Sequence, residues 1–278
     1  MQDIKYLIQP DNPNPKIVSR NAYEIPDKIL LDAKIDNPDS WSSLWTSSET
    51  TEAESPEENT HPFEFLTGDL VLVGGFYGSH LRNTNTDARE WLSLDLLLGL
   101  RNSNINLPLH SDDSRHSPDG IIKRIGLIDI CSRLCRKLHE WELKSKGSFR
   151  VHEFSYDWRQ EGQVSSQNLL EFLEDIYAQN QNQPITVIAH SMGGLITLSV
   201  LNRRPEMFKG VVFCGTPFGP VPMILWAFQR GAPFASLFSS EMHFSARSAF
   251  LFLPKDGKAL VDSSNDEDIL IDYFNPQE

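Results

Sequence analysis

The stretch ITVIAHSMGG, residues 185–194, decides the fold of this chain. It begins with five apolar or β-branched residues and runs through Ser191 and two glycines into a helical pattern that Pro205 stops. Apolar residues that are continuous rather than alternating are typical of a strand buried on both faces of a parallel sheet. The stretch therefore predicts a strand, a tight turn at Ser191 and a helix, in that order.

Three other apolar runs have the same character and are separated by helical patterns. They cover residues 70–73, 149–158 and 211–214. A helix that opens at Ser166 carries apolar residues at positions i, i+3, i+4 and i+7, namely Leu169, Phe172, Leu173 and Ile176. Strands that alternate with helices predict an α/β fold, in which a mostly parallel sheet is covered by helices on both faces.

Ser191 is the candidate nucleophile. A serine on a tight strand-to-helix turn has its hydroxyl above the carboxyl edge of the sheet. Small residues two before and two after it, here Ala189 and Gly193, let the strand and helix pass close by. The Met192 N–H, at the start of the helix, can donate to a developing oxyanion. The alternative is a serine that caps the helix beside glycines that serve packing.

A second oxyanion donor is expected from the loop that follows the first strand. This loop, residues 74–79, has the sequence GGFYGS, and its glycines let the backbone approach a ligand closely. The Phe76 N–H is the candidate donor. The alternative is an ordinary glycine-rich turn.

Four segments of the chain resemble the lecithin–cholesterol acyltransferase family, which includes phospholipid–diacylglycerol acyltransferases and lysosomal-type phospholipases. They are VLVGGFYGSHL (71–81), SYDWR (155–159), AHSMGG (189–194) and CGTPFG (214–219), within a resemblance over about residues 65–274. The resemblance implies an α/β-hydrolase fold in which Ser191 accepts the acyl group and Phe76 and Met192 hold the oxyanion. The implied reaction moves a fatty acyl group from a glycerophospholipid to an alcohol or to water, with no cofactor and no metal.

The first glycine loop departs from the family's pattern. Gly74 stands where the family has the proline of Val-Pro-Gly, which loosens the loop but keeps its donor. No cysteine lies between Leu81 and Arg115, so the lid disulfide of secreted members cannot form.

The triad acid and base, which should follow Ser191 on loops after later strands, are not found. The one histidine after Ser191 is His243, which follows an apolar stretch rather than a strand, and His190 points away by the geometry of the turn. We therefore expect an incomplete catalytic unit that lacks its C-terminal strands. A non-catalytic lipid-binding or regulatory remnant and a general esterase are the alternative functions.

Other residues near the site have expected roles. Asp157, beside Trp158 and Arg159, is predicted to be structural, because a carboxylate so flanked can form a buried ion pair. Residues 218–245 are predicted to form an apolar, lid-like insertion, with a core helix as the alternative. The candidate contacts to substrate or lid are Tyr77, Trp91, Trp226 and Phe218. Cys131 and Cys135 are interpreted as packing residues, since no further ligands stand at zinc-like spacing.

Composition limits the class of protein. The 278 residues include 25 Lys+Arg and 38 Asp+Glu, a formal charge of −13, which argues against a nucleic-acid partner. No run approaches the roughly 18 apolar residues of a membrane span, and the first residues lack the apolar core of a secretory signal. The expected location is cytoplasmic. The expected partner is a phospholipid or neutral lipid, at a membrane or lipid-droplet surface.

Residues 1–60 differ in composition from the rest. They are rich in Pro, Ser and Glu, with the run SSETTEAESPEEN at 47–59, and bury too little apolar surface to order themselves. We expect a mostly flexible acidic leader over 1–60 and an α/β-hydrolase domain over 61–278.

Overall fold

The computed structural model describes residues 61–93, 96, 100, 105–108, 115–231, 239–262 and 264–275. The expected leader, residues 1–60, lies outside the described residues. The described strands are β1 Gly68–Val73, β2 Ser79–Asn83, β3 Arg89–Trp91, β4 His116–Ile121, β5 Arg124–Ile125, β6 Ile128–Asp129, β7 Phe149–Phe154, β8 Ile185–His190, β9 Phe208–Cys214, β10 Lys258–Val261 and β11 Asp268–Leu270. The described helices are α1 Ser132–Lys144, α2 Gly162–Gln179, α3 Met192–Arg203, α4 Met223–Arg230 and α5 Ser240–Ser245, with 3-10 turns at Pro205–Met207 and Arg247–Phe252.

A four-stranded parallel sheet organises the chain, in the order β7-β1-β8-β9. From β1 the chain goes to β7 on one side, and then returns across β1 to add β8 on the other side. The strand order therefore reverses between β1 and β8, where Val73 pairs with Ala189. In open parallel sheets the crevice beyond the carboxyl ends of two such strands is the usual ligand site.

Both faces of the sheet are buried by helices. On one face Leu70 and Leu72 of β1 join Leu138 of α1 in a single apolar cluster. On the other face Val71 and Val73 belong to a larger cluster that takes in the apolar sides of α2 and α3. Successive residues of a strand point to opposite faces, so a run that is apolar throughout serves both layers. The predicted α/β fold with a parallel sheet covered on both faces is confirmed.

Several element boundaries differ from the sequence prediction. The strand predicted over 149–158 ends at Phe154, and the helix predicted to open at Ser166 begins at Gly162. Ser166 lies inside the helix, where its hydroxyl donates to the Gln163 carbonyl at 3.0 Å. This local bond satisfies the serine within the helix, so the residue does not mark a helix start.

Between β1 and β7 the chain carries small antiparallel sheets that the apolar runs do not reveal. β2 pairs with β3 and with β4, and β5 pairs with β6. These strands are short and mix polar, charged and turn-forming residues, which hides the period of two. β10 and β11 form a separate hairpin outside the parallel sheet. Among the described helices, none is both long and apolar enough to cross a membrane.

Candidate active site

Ser191 lies at the turn between β8 and α3, in a backbone conformation that side chains rarely adopt. Its φ is 52° and its ψ is −126°. Its N–H donates to the Cys214 carbonyl at 2.9 Å, and its own carbonyl accepts from the Gly194 N–H at 2.9 Å. Such a conformation costs roughly 1–3 kcal/mol and persists only where the surroundings fix it, as they do here. The turn predicted at Ser191 is therefore a strained strand-to-helix elbow.

Two glycines after Ser191 allow this elbow to pack against the neighbouring strands. A Cβ built on Gly193 would lie 2.4 Å from the Gly74 carbonyl oxygen, and one on Gly194 would lie 1.9 Å from Thr216 Oγ1. The end of β1 and the loop after β9 thus pass directly over the first turn of α3. Any side chain at either glycine would force these elements apart.

The glycine loop after β1 faces the nucleophile. A Cβ built on Gly75 would lie 2.7 Å from Ser191 Cβ and 3.2 Å from Ser191 Oγ. The hydroxyl is thus beside the loop that the sequence predicts as the source of an oxyanion donor. Only glycine at position 75 leaves room between the two.

Two backbone N–H groups at this place lack an acceptor among the described residues. They belong to Phe76, in the glycine loop, and to Met192, the first residue of α3. The N–H groups of a helix's first turn have no partner within the helix, and the macrodipole makes this end electropositive. An anion formed next to Ser191 would meet this end of α3. The structure thus places Ser191 next to Met192 in the chain and against Gly75, the residue before Phe76.

The SYDWR segment supports the glycine loop from behind. The Tyr156 hydroxyl donates to the Gly74 carbonyl at 2.9 Å, and the Trp158 indole N–H donates to the Ser79 carbonyl at 3.1 Å. Both side chains are fully buried, and burial raises the pKa of Tyr156 above its usual range. A buried hydrogen bond resists exchange with water, so these two bonds fix both ends of the loop.

Asp157 and Arg159 hold that segment in place. The Arg159 guanidinium donates to both Asp157 oxygens, at 2.8 and 2.7 Å, and to the Ile105 carbonyl at 2.7 Å. Arg159 is fully buried, whereas the Asp157 side chain keeps 12% of its surface exposed. The buried ion pair expected for Asp157 is present. The pair lies within the turn that carries Trp158, and therefore acts on the glycine loop through that residue.

Tyr77 and Trp91 complete an aromatic layer beneath the loop. The Trp91 indole N–H donates to the Tyr77 carbonyl at 3.0 Å, and the ring of Trp158 packs against both Tyr77 and Phe76. Trp91, a candidate contact to substrate or lid, is 2% exposed and supports the loop from the core. Tyr77 is half-buried and has a φ of 63°.

The hydroxyl of Tyr77 forms a hydrogen bond with Nε2 of His243, on α5. The Nδ1 of the same imidazole lies 2.9 Å from the Ser239 carbonyl, which only accepts, so Nδ1 carries the proton. In the neutral ring Nε2 then accepts from Tyr77. His243 is 1% exposed, and burial lowers its pKa. It thus joins α5 to the glycine loop, a role that its sequence position does not reveal.

No histidine of the described residues accepts a hydrogen bond from Ser191 Oγ. His243 is engaged as above, and His190 is exposed at the end of β8. The structure therefore does not bring a triad base to the candidate nucleophile within the part of the chain it describes. The same part holds no cluster of three or more side chains suited to a metal ion.

The remaining candidates belong to the segment over 218–245. Phe218 is 52% exposed and packs edge-on against Phe213 at the end of β9, with 5.3 Å between ring centroids. Trp226 lies on α4, with the Arg230 guanidinium 4.7 Å above its ring. The same helix buries three apolar side chains in the main core: Ile224, Ala227 and Phe228. α4 is therefore a core helix on one side and a partly exposed apolar surface on the other.

Part of the chain matches a known family model. Residues 159–276, less than half of the chain, match the family model described as serine aminopeptidase, S33. The matched region includes the elbow at Ser191, and the parallel sheet with its order β7-β1-β8-β9 supplies the architecture. The parallel sheet and its helices are consistent with an α/β-hydrolase fold. The narrower resemblance to the lecithin–cholesterol acyltransferases is not confirmed by this match.

An uncharacterized protein of Saccharomyces cerevisiae, YJR098C, is 33% identical over 219 residues, which cover 76% of this chain and 32% of that protein. The chain thus spans about a third of the length of this curated relative. Among solved structures, this α/β-hydrolase fold is similar to the mature lipase BlEst2 of Bacillus licheniformis, at 16% identity and a TM-score of 0.37, covering 71% of this chain and 60% of that chain. It is also similar to a chain of the Tle4–Tli4 complex, at 14% identity and a TM-score of 0.43, covering 76% and 61%.

The elbow at Ser191 and the glycine loop can be predicted from the sequence, but the side chains that support them cannot. Tyr156 belongs to the SYDWR segment, and the bond from its hydroxyl to the Gly74 carbonyl spans 82 positions in the sequence. The Tyr77–His243 contact spans 166 positions. One signal in the sequence could have suggested such a support. It is a tyrosine at the predicted end of a strand, in a chain that also has a glycine loop.

Proposed function

We propose that this chain carries the nucleophile and oxyanion hole of a serine-dependent enzyme that acts on carboxylic esters through an acyl-enzyme on Ser191. In this reaction Ser191 Oγ attacks the ester carbonyl, and the Phe76 and Met192 N–H groups stabilise the tetrahedral oxyanion. The acyl group is then released to water or to an alcohol.

One observation carries the proposal. Ser191 is held in a strained elbow beside a glycine loop, and this loop and the start of α3 each carry an N–H group without a described acceptor. A serine that merely capped α3 would accept from an N–H of its first turn, but the Ser191 side chain makes no such capping bond. Strain at a site that is otherwise well packed is a feature of functional positions.

The proposed substrate class is a lipid ester, with a glycerophospholipid as acyl donor. The aromatic side chains near the elbow favour a substrate with a long acyl chain. Phe218, which is 52% exposed, packs edge-on against Phe213 and presents an apolar surface at the end of β9. The four segments shared with lecithin–cholesterol acyltransferases point in the same direction. A lid formed by residues 218–245 belongs to this proposal, because α4 keeps a partly exposed apolar side.

Covalent labelling tests the nucleophile. The wild-type chain and Ser191→Ala are incubated with a fluorescent fluorophosphonate, and labelling is read on a denaturing gel. We expect the wild type to be labelled and the variant not to be labelled at all. Equal labelling of the two proteins would contradict the proposal. Release of fatty acid from phosphatidylcholine vesicles, compared with release from short soluble esters, separates a lipid enzyme from a general esterase.

A second candidate function, a non-catalytic lipid-binding or regulatory module, is favoured by a specific observation. Within the described residues no imidazole accepts from Ser191 Oγ, and a serine without a base is a weak nucleophile. Loss of the base from a serine triad lowers the rate by several orders of magnitude and leaves only oxyanion-hole and binding effects. Binding to phosphatidylcholine vesicles that is equal in wild type and Ser191→Ala, without labelling of either, would favour this function.

A further inference from the structure

Two thiols meet at the start of α1. Cys131 is the residue before the helix, and Cys135 lies in its first turns. Their sulfur atoms are 3.7 Å apart, with the Cys135 thiol directed at Cys131 Sγ. Both cysteines are reduced in this structure. Packing alone does not need two thiols in contact, so the pair calls for a chemical explanation.

The surroundings favour the thiolate form of Cys131. The thiol hydrogen bond from Cys135 lowers the pKa of Cys131 and the Lys123 ammonium acts in the same direction, whereas burial and the carboxylates of Glu153 and Asp129 oppose this effect without reversing it. Burial and the same bond raise the pKa of Cys135. The first N–H groups of α1 do not serve this thiolate, because those of Ser132 and Arg133 donate to Asp129 Oδ1, at 2.7 and 3.4 Å.

The two cysteines differ in their exposure to solvent and in their backbone conformation. Cys131 is half-buried and thus reachable from solvent, whereas Cys135 is 2% exposed. The first is therefore suited to meet an oxidant, and the second to meet only the first. The Cys131 φ of −152° is non-helical, so its side chain is not bound to helical rotamers.

The backbone spacing permits a bond between the two sulfurs. The Cys135 N–H donates to the Cys131 carbonyl at 2.9 Å, which is the i to i+4 contact of a helix. In such a turn the two Cα atoms are about 6.2 Å apart. Disulfides are found at Cα separations of roughly 4.4–6.8 Å. The sulfur atoms must approach each other by less than the length of one bond.

We propose that Cys131 and Cys135 form a reversible dithiol site that a peroxide oxidises to an intramolecular disulfide. The Cys131 thiolate attacks one peroxide oxygen: an S–O bond forms, the O–O bond breaks, and hydroxide leaves and is protonated to water. Cys135 sulfur then attacks the sulfenic acid: the S–S bond forms, the S–O bond breaks, and water leaves with the Cys135 proton. Two electrons pass from the thiols to the peroxide, which is reduced to water. This site is independent of the function proposed for Ser191.

The sequence offers a direct chemical test of the site. Trypsin cleaves after Arg133, between the two cysteines, so a disulfide would hold two otherwise separate peptides together. The folded wild-type chain is treated with hydrogen peroxide, alkylated with N-ethylmaleimide, digested without reductant and analysed by mass spectrometry. We expect a linked pair of peptides, lighter than the two free thiols together by two hydrogen atoms, which dithiothreitol separates. Cys214, the third cysteine, serves as the internal control and is expected to remain alkylated.

Two variants separate the roles of the thiols. Cys135→Ser is expected to accumulate a sulfenic acid on Cys131 that dimedone traps, and Cys131→Ser is expected to leave Cys135 unmodified by dimedone. Phenylarsine oxide, which bridges neighbouring thiols, is expected to block alkylation of both cysteines in the wild type and of neither single variant. Full alkylation of both cysteines after peroxide, or a disulfide that includes Cys214, would overturn the proposal, and this result needs no variant to fold.

Discussion

At the scale of single residues, the candidate site is made of positions where a side chain would not fit. Gly75 faces Ser191, and Gly193 and Gly194 face the ends of the neighbouring elements. These glycines are therefore needed because the backbone passes close to other groups, and not because the backbone must be flexible. The three contacts differ in what they would displace, since the one at Gly193 meets a backbone carbonyl and the one at Gly194 meets a threonine side chain.

The variant Gly75→Ala tests whether the close approach of the glycine loop to Ser191 shapes the site. The added methyl group would lie 2.7 Å from Ser191 Cβ, so the serine or the loop must move. We expect the rate of fluorophosphonate labelling to fall by about tenfold or more, since displacing one oxyanion donor costs roughly 10²–10³ in rate. The matched control is Gly210→Ala in β9, where an added Cβ meets nothing within 4 Å. Equal labelling rates for the two variants would contradict the close approach.

At the scale of elements, the site depends on contacts between segments that are far apart in sequence. Tyr156 and Trp158 follow β7 and donate to carbonyls of the loop after β1. His243 on α5 accepts from Tyr77 of the same loop. The glycine loop is thus held from two directions, by neutral donors on one side and by a neutral imidazole on the other.

The α5 contact predicts a pH dependence of stability. Burial lowers the folded-state pKa of His243 below its ordinary value of about 6.5, so the folded protein keeps the ring neutral while the unfolded chain takes up a proton. The contribution is therefore complete above pH ~6.5 and is lost as the pH falls towards the folded pKa. One such proton changes the free energy of unfolding by up to about 1.4 kcal/mol per pH unit.

Urea unfolding of the wild type and of His243→Gln between about pH 7.5 and 5.5 measures this contribution. His80 is half-buried and burial likewise lowers its pKa, so this group makes both proteins lose stability on acidification. We expect the wild type to lose it more steeply, with the two curves converging at low pH. Parallel curves would show that His243 has an ordinary pKa and that its bond to Tyr77 does not require the neutral ring.

The strands and helices that lie next to the elbow could be predicted from the sequence, because each is a continuous apolar run or a clear helical period. The strands within residues 79–129 could not be predicted. β2 to β6 are short and polar, and they pair with one another rather than with the main sheet. The elbow could be predicted from the residues around Ser191, and the two oxyanion donors stay predictions. The supports could not be predicted, because hydrogen bonds such as that from Tyr156 to Gly74 depend on the strand order.

At the scale of the whole molecule, the sheet separates two apolar layers that contact different elements. The layer under α1 contains Leu138 and Phe149, whereas the layer under α2 and α3 continues into the aromatic residues beneath the glycine loop. The residues that support the site therefore lie on one face of the sheet, and the smaller cluster under α1 lies on the other. The elbow at Ser191 belongs to the second face through the helix that follows it.

Leu138→Ala tests this separation. Leu138 is fully buried between α1 and the sheet, and truncating such a leucine typically costs about 3 kcal/mol in the free energy of unfolding. We expect a clear loss of stability in urea unfolding but an unchanged labelling rate of Ser191 per folded molecule. Lys137→Ala is the matched control, because this neighbouring side chain is 49% exposed and its ion pair with Glu140 contributes little. A labelling rate that falls further than the folded fraction of Leu138→Ala would show that α1 also shapes the site, since cavity strain would then cross the sheet from one layer to the other.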